Sequence, residues 1–212
     1  KQQKQQEKGE RRKKRQDKKA FDDPDDIEDL DDLLAQYQIK DLASAQYVYN
    51  EAECDLPTPR TNGSFISDPT SSNGSVFFLF GGECAVGANK TYIYNDFYKY
   101  YADKNIWKKI DTGLNAPPPR TAHQMVAVKD KLVLFGGEYM SASQSKFHHW
   151  RDTWIFDLKK NSWQCAVSDS GPSARSGHRM CAYKNNYVLL FGGFYDTYKV
   201  TKYHDDLWIF DL

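Results

Sequence analysis

The sequence predicts an all-β fold assembled from repeated four-stranded units, and three observations carry that prediction. Apolar strings ending in Phe-Gly-Gly recur as VFFLFGGEC at 76–84, KLVLFGGEY at 131–139 and YVLLFGGFY at 187–195. Their leading glycines, Gly81, Gly136 and Gly192, stand 55 and 56 residues apart, a period that belongs to repeat architectures. Each string is preceded by Pro-x-x-Arg (Pro57 to Arg60, Pro117 to Arg120, Pro172 to Arg175) and followed by an aspartate, Asp96, Asp152 or Asp206. Trp107 and Trp163 come next in the first two units; the third tryptophan would fall near position 218, past Leu212.

Two charged blocks come first. Residues 1–19 hold ten Lys or Arg against three acids, and residues 20–39 hold eight Asp or Glu and no base. Like charges at this density repel and seldom fold alone. Within the acidic block Ile27, Leu30, Leu33, Leu34 and Tyr37 recur at helical spacing, with Asp23 as N-cap and Pro24 in the first turn; this predicts a short amphipathic helix over 24–38. The charged tail and helix are assigned to 1–43, and the repeats to 44–212.

The repeats are expected over about 54–111, 112–168 and 169–212, the last incomplete. In the middle unit HQMVAV (123–128) and LVLFG (132–136) flank the tight turn KDK. A long loop over 138–151 leads to DTWIFDL (152–158), the turn KKNS, and WQCAV (163–167). That makes four strands. The second strand is apolar on both sides through Leu132, Val133, Leu134 and Phe135, which suits a sheet covered on both faces. Four-stranded sheets arranged radially, each between two neighbours, meet that need. The paired glycines (Gly81-Gly82, Gly136-Gly137, Gly192-Gly193) permit close approach, and a following tryptophan is expected to lie over them.

Phe-Gly-Gly followed by an aromatic-rich third strand and a tryptophan resembles the kelch repeat. The finer strings PPPRTAHQ, FGGEY, GPSARSGHRM and LFGGF, with the Lys-rich start and acidic helix, resemble the kelch domain-containing protein 4 family. The resemblance implies a six-bladed β-propeller, of which this chain holds the first three blades, used as a protein-binding scaffold. One departure stands out: Arg60-Thr-Asn-Gly63 replaces the Arg-Thr-Ala-His123 and Arg-Ser-Gly-His178 of the other units. The first blade is therefore expected to be opened or closed by another part of the chain.

Catalytic motifs fail at the residues that do the chemistry. Asp111-Thr-Gly113 and Asp169-Ser-Gly171 look like the paired loops of an aspartic protease, yet they sit at the repeat period and read as inter-unit turns. Gly82-Glu-Cys-Ala-Val-Gly approximates a phosphate loop without its Lys-Ser/Thr. Ser168-Asp-Ser-Gly-Pro172 has no base placed with it. His148 and His149 are adjacent and point to opposite sides of a strand, poor geometry for one metal; no cofactor or metal is indicated.

Cys54, Cys84, Cys165 and Cys181 lack metal-site spacing and read as reduced thiols of an intracellular protein, cytoplasmic or nuclear, the nucleolus included. The Asn62, Asn73 and Asn89 sequons carry no weight in that setting. No stretch reaches the roughly 20 apolar residues of a membrane span. His123 and His178, at one repeat position, read as structural, and Arg120–Asp152 and Arg175–Asp206 as pairs tying the rim of one face, worth about 0–1 kcal/mol if exposed.

The function expected is non-enzymatic. The long loops after the second strands carry Tyr92, Tyr94, Phe147, Trp150, Tyr195, Tyr198 and Tyr203, and loops on a rigid scaffold are where binding concentrates. A protein partner is therefore expected on the long-loop face, with Tyr94 and Trp150, which align by repeat, the ones most suited to packing. The basic segment 1–19 could hold RNA or an acidic partner through charge alone. Two alternatives from other classes are a substrate receptor of a ubiquitin ligase and a kelch-fold copper oxidase.

Overall fold

The computed structural model of the chain describes residues 49–212 apart from 87–89, 114, 142–146, 167–169 and 198, together with Ala35, which is helical. The basic segment, the rest of the expected helix and Tyr198 lie outside the described residues.

The first unit contains β1 (Asn50–Cys54), β2 (Ser64–Ser67), β3 (Val76–Phe80), β4 (Glu83–Ala85), β5 (Thr91–Ile93), β6 (Phe97–Tyr101) and β7 (Ile106–Asp111). The second contains β8 (Gln124–Val128), β9 (Lys131–Phe135), β10 (Glu138–Met140), β11 (Phe147–His149), β12 (Thr153–Asp157) and β13 (Ser162–Ala166). The third contains β14 (Arg179–Tyr183), β15 (Tyr187–Phe191), β16 (Phe194–Thr197), β17 (Val200–Tyr203) and β18 (Leu207–Asp211).

The middle blade is an antiparallel sheet ordered β13-β12-β9-β8, in which Phe135 lies opposite both Gln124 and Thr153. Equivalent registers place Phe80 opposite Ser64 and Phe97 in the first blade, and Phe191 opposite Arg179 and Leu207 in the third. The third sheet is three-stranded, β14-β15-β18. First strands of successive blades touch one another, β2 with β8 and β8 with β14, so the blades fan out from their first strands.

Apolar side chains facing the next blade lock the sheets together. Phe78, Phe80 and Phe97 pack against Phe156 and Trp163 of the second blade, with Trp163 5.7 Å from Phe80 and 5.2 Å from Phe97. Between the second and third blades the fill is Val128, Val133 and Val188, joined by Met180 and Phe210. The central strand β9, with a blade on each side, is buried on both faces, which is why it is written as an unbroken apolar run.

Four features differ from the sequence reading. The chain enters as a strand earlier than about residue 54: β1 pairs outside β7, with Glu51 opposite Ile110, giving a five-stranded first blade. Glu51 holds it there through Tyr49, Tyr101, Lys99 and Lys108. This strand adds to the periphery of the first blade and leaves its inner edge as it was.

The long loops contain two-stranded ribbons, β4-β5, β10-β11 and β16-β17. Each is tied down by a bridge to the connection that carries the arginine, Thr61 to Glu83, Thr121 to Glu138 and Ser176 to Phe194.

In the first two pairs the space beside the first glycine is not kept for a tryptophan. A Cβ on Gly81 would meet the Arg120 carbonyl at 2.7 Å and the His123 ring at 2.9 Å; on Gly136 it would meet the Arg175 carbonyl at 2.6 Å and the His178 ring at 3.0 Å. The next blade's backbone and histidine fill that gap, and the positive φ of each glycine, 63° in both cases, adds a second reason.

The arginines are not on an exposed rim. Arg120 and Arg175 are wholly buried, and each guanidinium also donates to the carbonyl of its blade's first glycine, Gly136 or Gly192.

Candidate partner-binding face

The ribbons and the Pro-x-x-Arg connections emerge on one face, and the geometry there begins with the arginines. In the second blade Arg120 donates to both carboxylate oxygens of Asp152 at 2.7 and 2.8 Å, and Trp154 Nε1 donates to the same carboxylate at 2.6 Å. In the third, Arg175 and Trp208 hold Asp206 alike, and the arginine draws the Asp206 carboxyl well below the usual carboxylate range. Bidentate pairs of this kind fix geometry as well as charge.

In the first two blades the residue two before the aspartate covers the arginine. Arg60 lies 4.1 Å from the Tyr94 ring centroid, and Arg120 lies 5.0 Å from that of Trp150, within cation–π range. His204 holds the third position. Trp150 is buried, so its place in the site is as the lid over Arg120, and Tyr94 is half-buried over Arg60. The first blade is the looser one: Arg60 reaches Asp96 at 3.3 Å, while Lys109 takes the other carboxylate oxygen at 2.7 Å.

Above this layer stand the ribbons. Tyr92 on β5, Phe147 on β11, and Tyr195 and Tyr203 on β16 and β17 are all exposed. Adjacent ribbons touch, β5 against β10 and β11 against β16. A groove of about 500 Å³ runs between the first two, over Pro59 and Thr61 and flanked by Cys84 and Met140. Val86 and Val200, which sequence reasoning passed over, are also exposed in these segments. The cue for them was a valine inside a polar turn.

A buried polar cluster joins the second ribbon to the third blade. His149 lies opposite Glu138 across β10 and β11. Its Nδ1 is 2.8 Å from Ser176 Oγ and 3.6 Å from the Glu138 carboxylate. Its Nε2 lies 3.0 Å from both the Asp196 N–H and the Asp196 carbonyl, so either tautomer finds a partner on each ring nitrogen. Burial lowers the His149 pKa. Burial, with Glu83 and Asp196 nearby, raises that of Glu138 to about 7 against a hydrogen bond from Ser176. Serine, histidine and glutamate meet here, yet Ser176 and Glu138 both address Nδ1 and a backbone amide occupies Nε2. The carboxylate thus shares the serine's side of the ring and does not orient it from the other nitrogen, as the carboxylate of a nucleophile triad does.

His123 and His178 are buried against Phe80 and Phe135, at 5.5 and 5.4 Å, and burial holds both near a pKa of about 3. They are neutral packing groups. Among the described residues no three of His, Cys, Asp and Glu come together as a metal site, and no helix is long and apolar enough to cross a membrane.

Residues 28–212 match the family model of the KLHDC2/KLHL20/DRC7 Kelch-repeats domain. The chain belongs to the kelch-repeat family. It is 31% identical over 163 residues to the dynein alpha chain of the flagellar outer arm of Chlamydomonas reinhardtii, covering 74% of this chain and 3% of that one. It is 32% identical over 149 residues to an F-box/kelch-repeat protein of Arabidopsis thaliana, 66% of this chain and 29% of that one. Host cell factor of Drosophila melanogaster is 28% identical over 138 residues, 58% of this chain and 9% of that protein. This kelch chain thus spans less than a third of each of these relatives. The solved structure of YjhT aligns over 66% of this chain and 36% of that one, with a TM-score of 0.47 and 19% identity. The fold is an all-β kelch-repeat architecture, and the chain carries a kelch-repeat protein-interaction domain.

Proposed function

We propose that this kelch-repeat chain is a non-catalytic scaffold, akin to the kelch domain-containing protein 4 family, that seats a protein partner on its ribbon-bearing face and acts inside the cell. One observation carries the reading: Tyr92, Phe147, Tyr195 and Tyr203 are exposed on three ribbons held by backbone bridges, while Trp150 just below is buried. Aromatic side chains presented by a rigid frame lose little conformational freedom on binding. Tyr198 belongs to the same segment by sequence. A ligase-receptor role is a second reading, favoured by the F-box/kelch-repeat relative.

Proximity labelling in cells tests the face. Phe147→Ala with Tyr203→Ala should deplete the labelled partners without changing the melting temperature. Charge reversals at Lys129, Lys159 and Lys184, in the short turns of the opposite face, should leave labelling intact. The reverse pattern sinks the assignment, and stable recovery of ligase subunits with the wild-type chain would select the receptor role.

A further inference from the structure

The tripeptide Asn-Gly-Ser occurs twice, at 62–64 and at 73–75, each time with an exposed asparagine. Asparagine before glycine is the pairing in which a backbone nitrogen most readily attacks the preceding side-chain amide, because glycine sets no Cβ beside that nitrogen. Local sequence therefore gives the two sites equal reactivity. The fold separates them.

Asn62 stands in the left-handed region at φ 54°, its Nδ2 donates to Glu83 Oε1 at 2.7 Å, and its carbonyl accepts the Ala122 N–H of the next blade at 3.2 Å. Gly63 is packed into neighbouring backbone: a Cβ on it would meet the Gly81 carbonyl oxygen at 3.0 Å, and a Cβ on Gly82 would meet the Gly63 nitrogen at 2.9 Å. Turning the 62–63 peptide to bring that nitrogen onto the side chain would break the bond between the blades and drive backbone into backbone.

Asn73 lies in the turn between β2 and β3, where a Cβ on Gly74 would meet nothing within 4 Å. The Gly74 N–H donates to the Ser71 carbonyl at 3.3 Å, just past the usual range for such a bond. Little holds the nitrogen back. Asn73 Oδ1 meanwhile accepts from Ser71 Oγ, Ser75 Oγ and the Ser75 N–H at 3.0, 2.7 and 3.2 Å. Donors gathered on one carbonyl oxygen polarise the amide and stabilise the negative charge that the oxygen takes up under attack.

We propose that Asn73 is a self-modifying site, at which the Gly74 nitrogen displaces the side-chain amide and leaves an aspartate or isoaspartate. The nitrogen bonds to Cγ, the Cγ–Nδ2 bond breaks, and the proton lost from the Gly74 nitrogen departs with Nδ2 as ammonia. Water then opens the cyclic imide at either carbonyl, so that a water is consumed and a carboxylate gained. The new charge meets an acid. Asn73 Nδ2 donates to Asp103 Oδ2 at 2.6 Å, which ties the β2–β3 turn to the β6–β7 turn, and the product sets a second anion where that donor was. The first blade thus carries a slow, one-way switch on its short-turn face, opposite the ribbons and independent of the partner-binding reading.

Peptide mapping by mass spectrometry, on the 212-residue chain sampled during incubation at neutral pH, decides it. Asn73 should convert while Asn62 stays intact, and in denaturant the two should react alike. Ser71→Ala should slow conversion at Asn73 several-fold in the folded chain and leave the rate in denaturant unchanged. Asn73→Asp should lower the melting temperature, and adding Asp103→Asn should restore it by returning a donor to the pair. An Asn73 that survives in the folded chain and reacts only in denaturant overturns the proposal, as does equal conversion of Asn62 and Asn73 without denaturant. An Asn73→Asp chain that melts with the wild type overturns the switch.

Discussion

Arg120 and Asp152 are joined by two parallel hydrogen bonds of 2.7 and 2.8 Å, with the guanidinium wholly buried and the carboxylate also accepting from Trp154. Removing one member leaves the other charged and poorly hydrated. Arg120→Ala should therefore destabilise the chain by about 3–5 kcal/mol. Arg60→Ala should cost clearly less, because Asp96 keeps its 2.7 Å contact with Lys109. Chemical denaturation of both variants checks the order; equal losses would show that the bidentate geometry contributes nothing.

Stability should fall on both sides of a mid-range pH. His123 and His178 titrate near 6.5 when unfolded and at about 3 when folded. The unfolded chain then binds the extra protons, and stability drops as pH falls from about 6.5 towards 3. Glu138 has the opposite sign: its folded pKa, about 7, exceeds the unfolded 4.5, so its contribution is full below about 4.5 and is lost as pH rises through 7. Glu138→Gln should be more stable than the wild type at pH 8 by about 1–3 kcal/mol and show no such gain at pH 4. Melting curves across that range measure it, and a gain independent of pH would refute the assignment.

Glycine substitutions should separate backbone strain from crowding. Gly74 and Gly136 have similar positive φ, 66° and 63°, but a Cβ on Gly74 meets nothing within 4 Å while one on Gly136 meets the Arg175 carbonyl at 2.6 Å. Gly74→Ala should cost about 1–2 kcal/mol. Gly136→Ala should cost more, since the second and third blades must part to admit the methyl group. Matched unfolding curves suffice to compare them.

If residues 1–19 hold RNA, binding should weaken steeply with salt, ignore sequence, and vanish when they are deleted. Filter binding at two salt concentrations reads this directly. Affinity unchanged by the deletion would reduce the segment to a solvated tail.

The repeat was legible because its marks are chemically costly to vary. Two glycines that must admit another blade, and an arginine that must meet an aspartate, appear in every unit. The burial of Arg120 was not legible, since charged side chains are normally exposed and only the folded geometry supplies carboxylate and carbonyl partners for the guanidinium. Nor was β1: NEAEC has neither apolar alternation nor β-branched residues, and its place is fixed by the distant Lys99 and Lys108. The ribbons escaped because their strands are three or four residues long, too short for periodicity to register. Tyr94 and Trp150 aligned by repeat, yet their use as covers over Arg60 and Arg120 depended on seeing the guanidinium planes.

The left-handed residues Asn62, Ala122 and Gly177, at φ 54°, 53° and 64°, pass hydrogen bonds in one direction, each later N–H to the carbonyl before it. In these two bonds the acceptor is made before its donor. A blade leaving the ribosome finds its docking point already built by the one before, and the search is confined to a neighbour some sixty residues upstream. The arc can therefore grow in the order in which it is translated.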